Sequence, residues 1–380
     1  MACKRISSQE AYSIHVMKIA LLGDIALFGR MSVNENPNVA AYFSEIADYL
    51  KGFDYVVGNL ETPFSVEKKT NGAKSAYICS DVENVKTLKH LHINAVCLAN
   101  NHMFDFGKEG YETTKRVLTE NNIEFFGTEG KEVVVTLDGN KLAFNGFCCY
   151  TTNPLNCVPY GGYGVNAYNV KTAKNILRKK DKDGYLSVFS VHAGLEHVNY
   201  PSIEHIKTAR LLADVVPFVY YGHHPHVIQG VEEYEGSLIA HSLGNFCFDD
   251  VFTNVSKNKP LIELTENNRT GMVLELTIDD SKVVSWKEQI IHIGQKGDGL
   301  HLIDTPLSFH EYNRRLVDCE ERVEEYNAQR KAVLDERIAE RKAMRNMGWF
   351  LKRLRPRYIR LVIDMKKNER LYKENVRKYI

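Results

Sequence analysis

The chain has 380 residues, of which 44% are hydrophobic and 26% charged, a composition typical of a globular protein with one large or two modest domains. The 49 lysines and arginines nearly balance the 48 acidic residues, for a formal net charge of +1. This balance excludes the strong positive field typical of nucleic-acid-binding proteins, so we expect no nucleic-acid partner. The sequence contains no run near the roughly 20 apolar residues that a membrane-spanning helix needs.

The start of the chain predicts neither a signal peptide nor a folded element. The apolar run 19–22 is too short for a signal peptide and ends in Gly23-Asp24. We therefore expect residues 1–16 to be a disordered extension or the product of an upstream start. The eight cysteines lack a paired framework and a Cys-x-x-Cys motif, which favours reduced thiols and a cytoplasmic protein.

Short apolar runs recur along the chain, and polar residues follow each of them. Runs of this length predict buried strands. They cover 17–22, 55–57, 95–98, 186–191, 215–220 and 238–240. The polar residues that follow are Asp24, Asn59, Glu61, Asn100, Asn101, His102, His192, Glu196, His223, His224, His226 and Asn245. Because open α/β sheets bind ligands at the carboxyl ends of their strands, we expect these side chains to converge on one edge.

Segments with a 3.6-residue apolar spacing lie between these strands and predict helices. The helices are expected over 38–51, 80–90, 107–121, 171–179 and 202–213. Two hairpins are also predicted, one joining 133–137 to 141–144 and one joining 272–278 to 283–293. The alternation predicts an α/β fold with two packed sheets and helices outside.

The stretch Tyr221-Gly-His-His-Pro-His-Val227 places three histidines within four positions after a predicted strand. In an extended loop the rings of His224 and His226 splay apart, so they suit two adjacent metal ions better than one. Imidazoles, carboxylates and an asparagine oxygen make a mixed nitrogen and oxygen ligand set. Such a set favours Mn, Fe or Zn over a structural cysteine-zinc site. A surface or capping histidine cluster is the alternative.

Six motifs occur in order along the chain: Gly23-Asp24, Asn59-Leu-Glu61-Thr-Pro63, Ala99-Asn-Asn-His102-Met-Phe-Asp105-Phe-Gly107, His192-Ala-Gly-Leu-Glu196, Gly222-His-His-Pro-His226-Val-Ile-Gln229 and Ser242-Leu-Gly-Asn-Phe246. Together they resemble the CapA family of bacterial capsule (poly-γ-glutamate) synthesis proteins, which looks like a branch of the calcineurin-like metallophosphoesterases. The resemblance covers 17–293. It implies an α/β four-layer metallophosphoesterase-like sandwich over 17–305, with two β-sheets flanked by helices and a helical C-terminal appendage.

The resemblance also implies roles for the strand-end residues. Two divalent ions are expected, the first held by Asp24, Glu61 and His226, the second by Glu61, Asn101, His192 and His224. The first site is the poorer one, because Ala26 stands where phosphoesterases have a histidine, and we expect it to be only partly occupied. His223 or Glu196 is the candidate replacement for that ligand.

The remaining residues of the motifs are expected to act on the substrate. His102 would serve as an acid or a charge stabiliser, with Asp105 orienting its ring. The predicted substrate-binding residues are Asn59, Asn100, Glu196, His223 and Asn245. A serine mechanism is disfavoured, because Ser242 lacks a Gly-x-Ser-x-Gly elbow.

Two functions of different class are compatible with these motifs. The first is a metal-dependent hydrolase or transferase in capsule or cell-envelope polymer synthesis, with an anionic polymer or a phosphoester as substrate. The second is a non-catalytic assembly or polymer-binding protein that keeps the fold, and Ala26 favours it.

The chain changes character beyond residue 305. Residues 306–345 predict one charged helix with a short heptad-like seam, formed by Tyr312, Leu316, Cys319, Val323 and Tyr326. Residues 346–380 predict a basic amphipathic tail, since fourteen lysines and arginines face only three acids between 341 and 378. Pro356 divides this tail into two short pieces. A solvated helix, a peripheral membrane contact and a partner-docking segment are the alternatives for it.

We expect the tail to associate weakly with anionic membranes, which would bring the protein to the inner membrane surface. Basic residues near an anionic leaflet contribute about 1 kcal/mol each, and buried apolar side chains add transfer energy. The full-length protein should float with anionic vesicles at low salt and dissociate at high salt, whereas a chain truncated at about Asn346 should stay behind. Equally poor flotation of both proteins would favour a solvated or partner-docking tail.

Overall fold

The computed structural model describes residues 16–66, 76–152, 156–252, 260–295, 298–343 and isolated positions beyond 343. The predicted N-terminal extension, apart from Val16, lies outside the described residues, as does most of the predicted basic tail.

The predicted strands and helices are present, but the strand predicted over 215–220 is observed as Val219–His223, and the α-helix predicted over 80–90 begins at Val85. The strands are β1 Met17–Ile25, β2 Tyr55–Leu60, β3 Ala95–Cys97, β4 Glu124–Phe126, β5 Val133–Leu137, β6 Asn140–Cys148, β7 Cys157–Val158, β8 Val165–Asn166, β9 Leu186–His192, β10 Val219–His223, β11 Val231–Tyr234, β12 Ser237–Ala240, β13 Asn245–Cys247, β14 Thr270–Asp279, β15 Lys282–Ile293 and β16 Leu300–Ile303. The helices are α1 Val39–Tyr42, α2 Ser44–Leu50, α3 Val85–His90, α4 Gly107–Glu120, α5 Val170–Lys182, α6 Ile203–Ala213, α7 Glu266–Arg269, α8 Leu307–Val317 and α9 Val323–Ala343. The helix predicted over 38–51 is divided into α1 and α2.

Two main sheets form the centre of the protein. The first has the strand order β16-β15-β14-β1-β2-β3-β4, with β13 paired to the C-terminal end of β1. The second has the order β11-β12-β10-β9-β6-β5. Strands β1 to β4 run parallel in the first sheet, as do β6, β9, β10 and β12 in the second. Parallel strands present their carboxyl ends at one edge, so both sheets deliver loops to the same side.

Helices cover the outer face of each sheet. Helices α1 to α4 pack on the first sheet, and Ala173 and Leu177 of α5 pack on Phe189 of the second. Between the sheets, the rings of Tyr55 and Phe144 stack with centroids 5.7 Å apart. Strand β9 is buried along its whole length, as expected for a strand covered on both faces. The predicted four-layer α/β sandwich, two sheets flanked by helices, is thereby confirmed.

The C-terminal appendage consists of two helices, α8 and α9, instead of the single helix predicted over 306–345. Asp318 ends α8, and its carbonyl oxygen accepts hydrogen bonds from Glu321 and Arg322 in the turn that follows. The predicted seam packs on the body of the protein through Leu316 and Tyr326. Within the described ranges, no helix is long and apolar enough to cross a membrane.

Two glycines allow unusually close backbone approaches just before the strand ends. A Cβ atom on Gly222 would lie 1.9 Å from the carbonyl oxygen of His241, and one on Gly23 would lie 2.2 Å from that of Gly244. Because both contacts are with main-chain atoms, no side-chain rotation can relieve them. Glycine at these positions therefore fixes the spacing of the strand ends that carry Asp24 and His223.

Substitution Gly222→Ala should lower the free energy of unfolding by about 3 kcal/mol, the upper part of the range for overpacking. The added methyl group has to push β10 away from the chain segment after β12. Gly52→Ala is the matched control, because its Cβ would lie 3.4 Å from the nearest atom, the carbonyl oxygen of Tyr49. Chemical denaturation should show little change for the control. Equal stability of the two variants would contradict the close approach.

Candidate metal centre

A buried cluster of acidic and imidazole side chains lies where the carboxyl ends of the two sheets meet. Asp24 belongs to β1, Glu61 follows β2 and His192 ends β9. One carboxylate oxygen of each acid and one ring nitrogen of His192 lie within 4.8 Å of one another. All three residues are fully buried. Three residues distant in sequence thus share one small interior volume.

The residues predicted to hold the second ion lie around His192. Its Nε2 is 2.9 Å from Oδ1 of Asn101, and its Nδ1 is 3.6 Å from Oε1 of Glu61. The rings of His192 and His224 lie with their centroids 4.8 Å apart. The structure therefore brings the four predicted ligands of this site together.

The residues predicted to hold the first ion lie around Asp24. Nδ1 of His226 is 3.3 Å from Oδ2 of Asp24, and its Nε2 is 3.9 Å from Oε2 of Glu61. Glu61 thus has one oxygen near His192 and the other near His226. A carboxylate between two sites is the arrangement expected of a bridging ligand.

Asn245 determines which nitrogen of His226 can bind a metal. Asn245 Nδ2 donates to the carbonyl oxygen of Asn268 at 3.0 Å, so its Oδ1 faces His226 Nδ1 at 2.9 Å. Nδ1 therefore carries the ring hydrogen, and the lone pair lies on Nε2, the nitrogen nearer Glu61. Asn245, predicted to contact substrate, here orients a predicted metal ligand.

Asn59, Asn100 and His223, also predicted to bind substrate, lie within the protein interior. Asn59 Nδ2 donates to Asp24 Oδ1 at 2.8 Å, and Asn59 Oδ1 accepts from Asn100 at 3.4 Å. His223 Nδ1 lies 3.0 Å from Asp24 Oδ1. All three side chains are fully buried, and their contacts fix the Asp24 carboxylate. Glu196 is partly buried on the loop after β9.

The protonation states of the cluster suit metal binding. Burial, together with the nearby rings of His224 and His223, holds the pKa of His192 well below its usual value. Burial lowers the pKa of His224 to about 4, although the charge of Glu196 opposes the shift. Burial alone would raise the pKa of Asp24, but its contacts with His223 and His226 lower it overall. Neutral imidazoles beside an ionised carboxylate are the forms that bind divalent metals.

One further observation tests whether the residues fit a metal ion. The buried Nδ1 of His224 has no hydrogen-bond partner among the described residues. Buried polar atoms of this kind are rare in folded proteins, because losing hydration without a replacement bond costs free energy. Carboxylate, amide and imidazole donors together match Mn, Fe or Zn. The residues present therefore fit a divalent ion.

The histidine loop also has a strained backbone. His224 has a φ of 93° and His226 a φ of 56°, values that cost residues other than glycine about 1 kcal/mol or more each. The amide of His224 donates to Oδ2 of Asp24 at 3.2 Å, which helps hold the loop in place. Strain of this kind is typical of ligand-binding loops.

His102 and Asp105 form a hydrogen-bonded pair in the turn after β3. Nδ1 of His102 is 2.6 Å from Oδ2 of Asp105, which also accepts from the amide of Ile78 at 3.2 Å. Asp105 is buried, whereas the His102 side chain keeps 12% of its surface exposed. The pair therefore presents an oriented imidazole at the surface of the site.

Two residues of the site escaped the sequence analysis, His197 and Asn268. Asn268 Nδ2 lies 2.9 Å from the carbonyl oxygen of His226 and 2.8 Å from Nδ1 of His197. His197 directly follows Glu196, and its position next to a predicted site residue was the one sequence feature that could have indicated it. Asn268 carried no signal beyond the capping pattern Thr265-Glu-Asn-Asn268, which predicts only a helix start.

The chain matches one protein family and is similar to two capsule synthesis proteins. Residues 18–250 match the family described as bacterial capsule synthesis protein PGA_cap. The chain is 27% identical over 288 residues to the PGA biosynthesis protein CapA of Bacillus subtilis (strain 168), a match covering 71% of this chain and 73% of that protein. It is 30% identical over 274 residues to the capsule biosynthesis protein CapA of Bacillus anthracis, covering 68% of this chain and 66% of that protein.

Two solved structures are similar to the chain at low sequence identity. A hypothetical protein from Thermus thermophilus has a TM-score of 0.44 and 14% identity, over 73% of this chain and 100% of that chain. A putative 5'-nucleotidase from Staphylococcus aureus in complex with alpha-ketoglutarate has a TM-score of 0.44 and 11% identity, over 80% of this chain and 58% of that chain.

The family match extends over more than half of the chain and contains Asp24, Glu61, Asn101, His192 and the histidine loop. It confirms the resemblance on which the site was first predicted. The chain belongs to the PGA_cap family of bacterial capsule synthesis proteins.

Proposed function

We propose that this protein is a metal-dependent hydrolase or transferase that acts on an anionic polymer or a phosphoester during capsule or cell-envelope polymer synthesis. The observation that carries the proposal is the buried cluster of Asp24, Glu61 and His192, with ligand atoms within 4.8 Å of one another. Two buried acids beside a histidine are costly to maintain unless a cation balances them. We propose further that the protein works in the cytoplasm, at the inner membrane when its basic tail engages anionic lipid.

The proposed ligands divide into two unequal sets. The first set is Asp24, Glu61 and His226, and the second is Glu61, Asn101, His192 and His224. When bound there, divalent ions supply Lewis-acid polarisation of a substrate oxygen and a lowered pKa for water. Because these residues lie far apart in the sequence, on different strands and loops, the fold and not a single loop sets the distances between them.

His102 would move the proton in this reaction. Its hydrogen bond with Asp105 fixes the ring so that Nδ1 faces the acid and Nε2 is the nitrogen directed away from it. With Nδ1 engaged by the acid, Nε2 is the nitrogen that would exchange a proton with a leaving oxygen or nitrogen, or stabilise its charge. Because the Asp105 carboxylate is buried and also bound by a main-chain amide, the ring stays oriented.

A non-catalytic assembly or polymer-binding role is the second candidate function. Ala26 is fully buried and its amide donates to the carbonyl oxygen of Cys247 at 2.8 Å. Because alanine has no ligand atom, the first set lacks one metal ligand at position 26. Packed backbone and side chains surround Ala26. A protein that binds polymer without cleaving it would tolerate this loss better than an enzyme.

Purified protein should bind between one and two divalent ions per chain, with the tighter site at His192. Substitution His192→Ala should reduce bound metal to less than one ion, because it removes an imidazole from the richer ligand set. His90→Ala is the control, since His90 is an exposed residue that contacts the carbonyl oxygen of Ala40. Elemental analysis after equilibration with Mn, Fe or Zn checks this. Equal metal content in the two variants would rule out the proposed centre.

Substitution His102→Ala should lower turnover by roughly 10²–10⁴-fold, the usual contribution of a positioned acid or base, and leave metal content unchanged. Turnover is measured with a chromogenic phosphoester and with a γ-linked glutamate oligomer, and His90→Ala again serves as the control. Metal loss in His102→Ala would make His102 a ligand instead. Unchanged metal content and turnover would favour the non-catalytic function.

A further inference from the structure

The hydrogen bonds of Asn268 fix the orientation of its side-chain amide. Its Oδ1 accepts from the main-chain amide of Thr265 at 3.2 Å and from the Thr265 hydroxyl at 2.7 Å. A main-chain N–H can only donate, so this end of the amide must be the oxygen. The NH₂ group then faces the carbonyl oxygen of His226, 2.9 Å away, which can only accept. Both ends of the amide are thus assigned by partners of fixed character.

This orientation also determines the tautomer of His197. The same NH₂ group lies 2.8 Å from Nδ1 of His197. An NH₂ group can only donate there, so Nδ1 must accept with its lone pair and carry no hydrogen. The ring hydrogen of His197 therefore sits on Nε2, and protonation of Nδ1 would set two donors against each other.

The chain holds His197 next to the histidine loop at a cost in backbone energy. His197 has a φ of 62°, in the same left-handed region as His224 and His226. Its amide donates to the carbonyl oxygen of Pro225 at 2.6 Å, and its ring centroid is 6.2 Å from that of His226. The side chain is partly exposed. Retained strain beside a candidate ligand loop is typical of functional residues.

We propose that His197 contacts the substrate, donating a hydrogen bond from Nε2 to an oxyanion beside the first metal site. Asn268 is the positioning residue that holds the ring in this tautomer. Because Nε2 already carries a hydrogen, His197 donates and does not serve as a base, so proton transfer stays with His102. The ligand is a phosphate or carboxylate oxygen, and this inference rests on the proposed metal-dependent function.

The tautomer is tested by ¹⁵N NMR of full-length, ¹⁵N-histidine-labelled protein, with the His197 signal assigned from its loss in His197→Gln. Wild-type protein should show the hydrogen on Nε2. Asn268→Asp replaces the donor with an acceptor and should move the hydrogen to Nδ1, whereas the control Asn267→Asp, at an exposed neighbour, should not. A wild-type ring with hydrogen on Nδ1, or an unchanged ring in folded Asn268→Asp, would overturn the proposal.

The contact is tested by titrating inorganic phosphate and, separately, a γ-linked glutamate oligomer into the metal-loaded full-length protein. His197→Phe keeps a ring but loses the donor, and should weaken binding of the matching probe about tenfold, as for one charge-assisted hydrogen bond. His197→Gln keeps an N–H donor and should stay within about threefold of wild type. The probe that responds distinguishes a phosphate from a carboxylate ligand.

Three results would overturn the proposed contact. Equal affinity of His197→Phe and wild type for both probes would show that Nε2 touches no oxyanion, and so would a wild type that binds neither probe. Metal loss in His197→Phe would make His197 a ligand instead. The proposed function is judged separately, by the metal content and turnover of wild-type protein, so the two failures are distinguishable.

Discussion

The structure depends on one buried charge, the carboxylate of Asp24 at the end of the first strand. Removing an ionised carboxylate from water costs several kcal/mol unless other groups replace the lost hydration. Here Asn59 donates to it from the neighbouring strand of its own sheet. His223, His226 and the amide of His224 approach it from the other sheet. Compensating this charge therefore requires both sheets to end at the same place, and that requirement creates the site.

The same requirement explains why the histidine loop keeps a strained conformation. The loop is tied to the segment after β9, since Gln229 donates to the carbonyl oxygen of Val198 and Asn199 donates to that of Ile228. That segment is braced in turn by the C-terminal appendage, where the Tyr326 hydroxyl donates to the carbonyl oxygen of Pro201. The appendage lies outside the family match, yet it packs on the loops that carry the candidate ligands. Contacts of the appendage thus brace the segment that is tied to the strained loop.

Much of the fold and of the site could be predicted from the sequence, because both follow from local patterns. Buried strands are recognisable in the sequence as apolar runs. Polar residues at the ends of parallel strands converge, as Asp24, Glu61 and His192 do. Asn268 could not be found this way, since it lies on a separate short helix and meets His226 only through the tertiary fold. The turn at Asp318 was missed for a related reason. This turn contains no glycine or proline to mark it in the sequence, and it is favoured by the packing of α8 and α9 on the rest of the protein.

The sequence also could not show what the asparagines contact. In the sequence, Asn59 and Asn245 come after predicted strands, as substrate-binding residues commonly do, but the structure directs their side chains to Asp24 and His226. A side chain used in this way sets the geometry and tautomer of a ligand, which matters as much for metal binding as the ligand itself. Their roles toward substrate remain predictions.

The two halves of the centre differ in a way that bears on its chemistry. Around His192 the candidate ligands are numerous, and burial keeps the rings of His192 and His224 neutral. Around Asp24 one ligand position is occupied by the buried Ala26, and hydrogen-bonding groups crowd the carboxylate instead. A full ligand set holds an ion firmly, whereas a depleted set leaves coordination positions for other oxygens. On the side of Asp24 and His226 an ion would therefore have coordination positions left for an oxyanion, and His197 and Asn268 lie on that side.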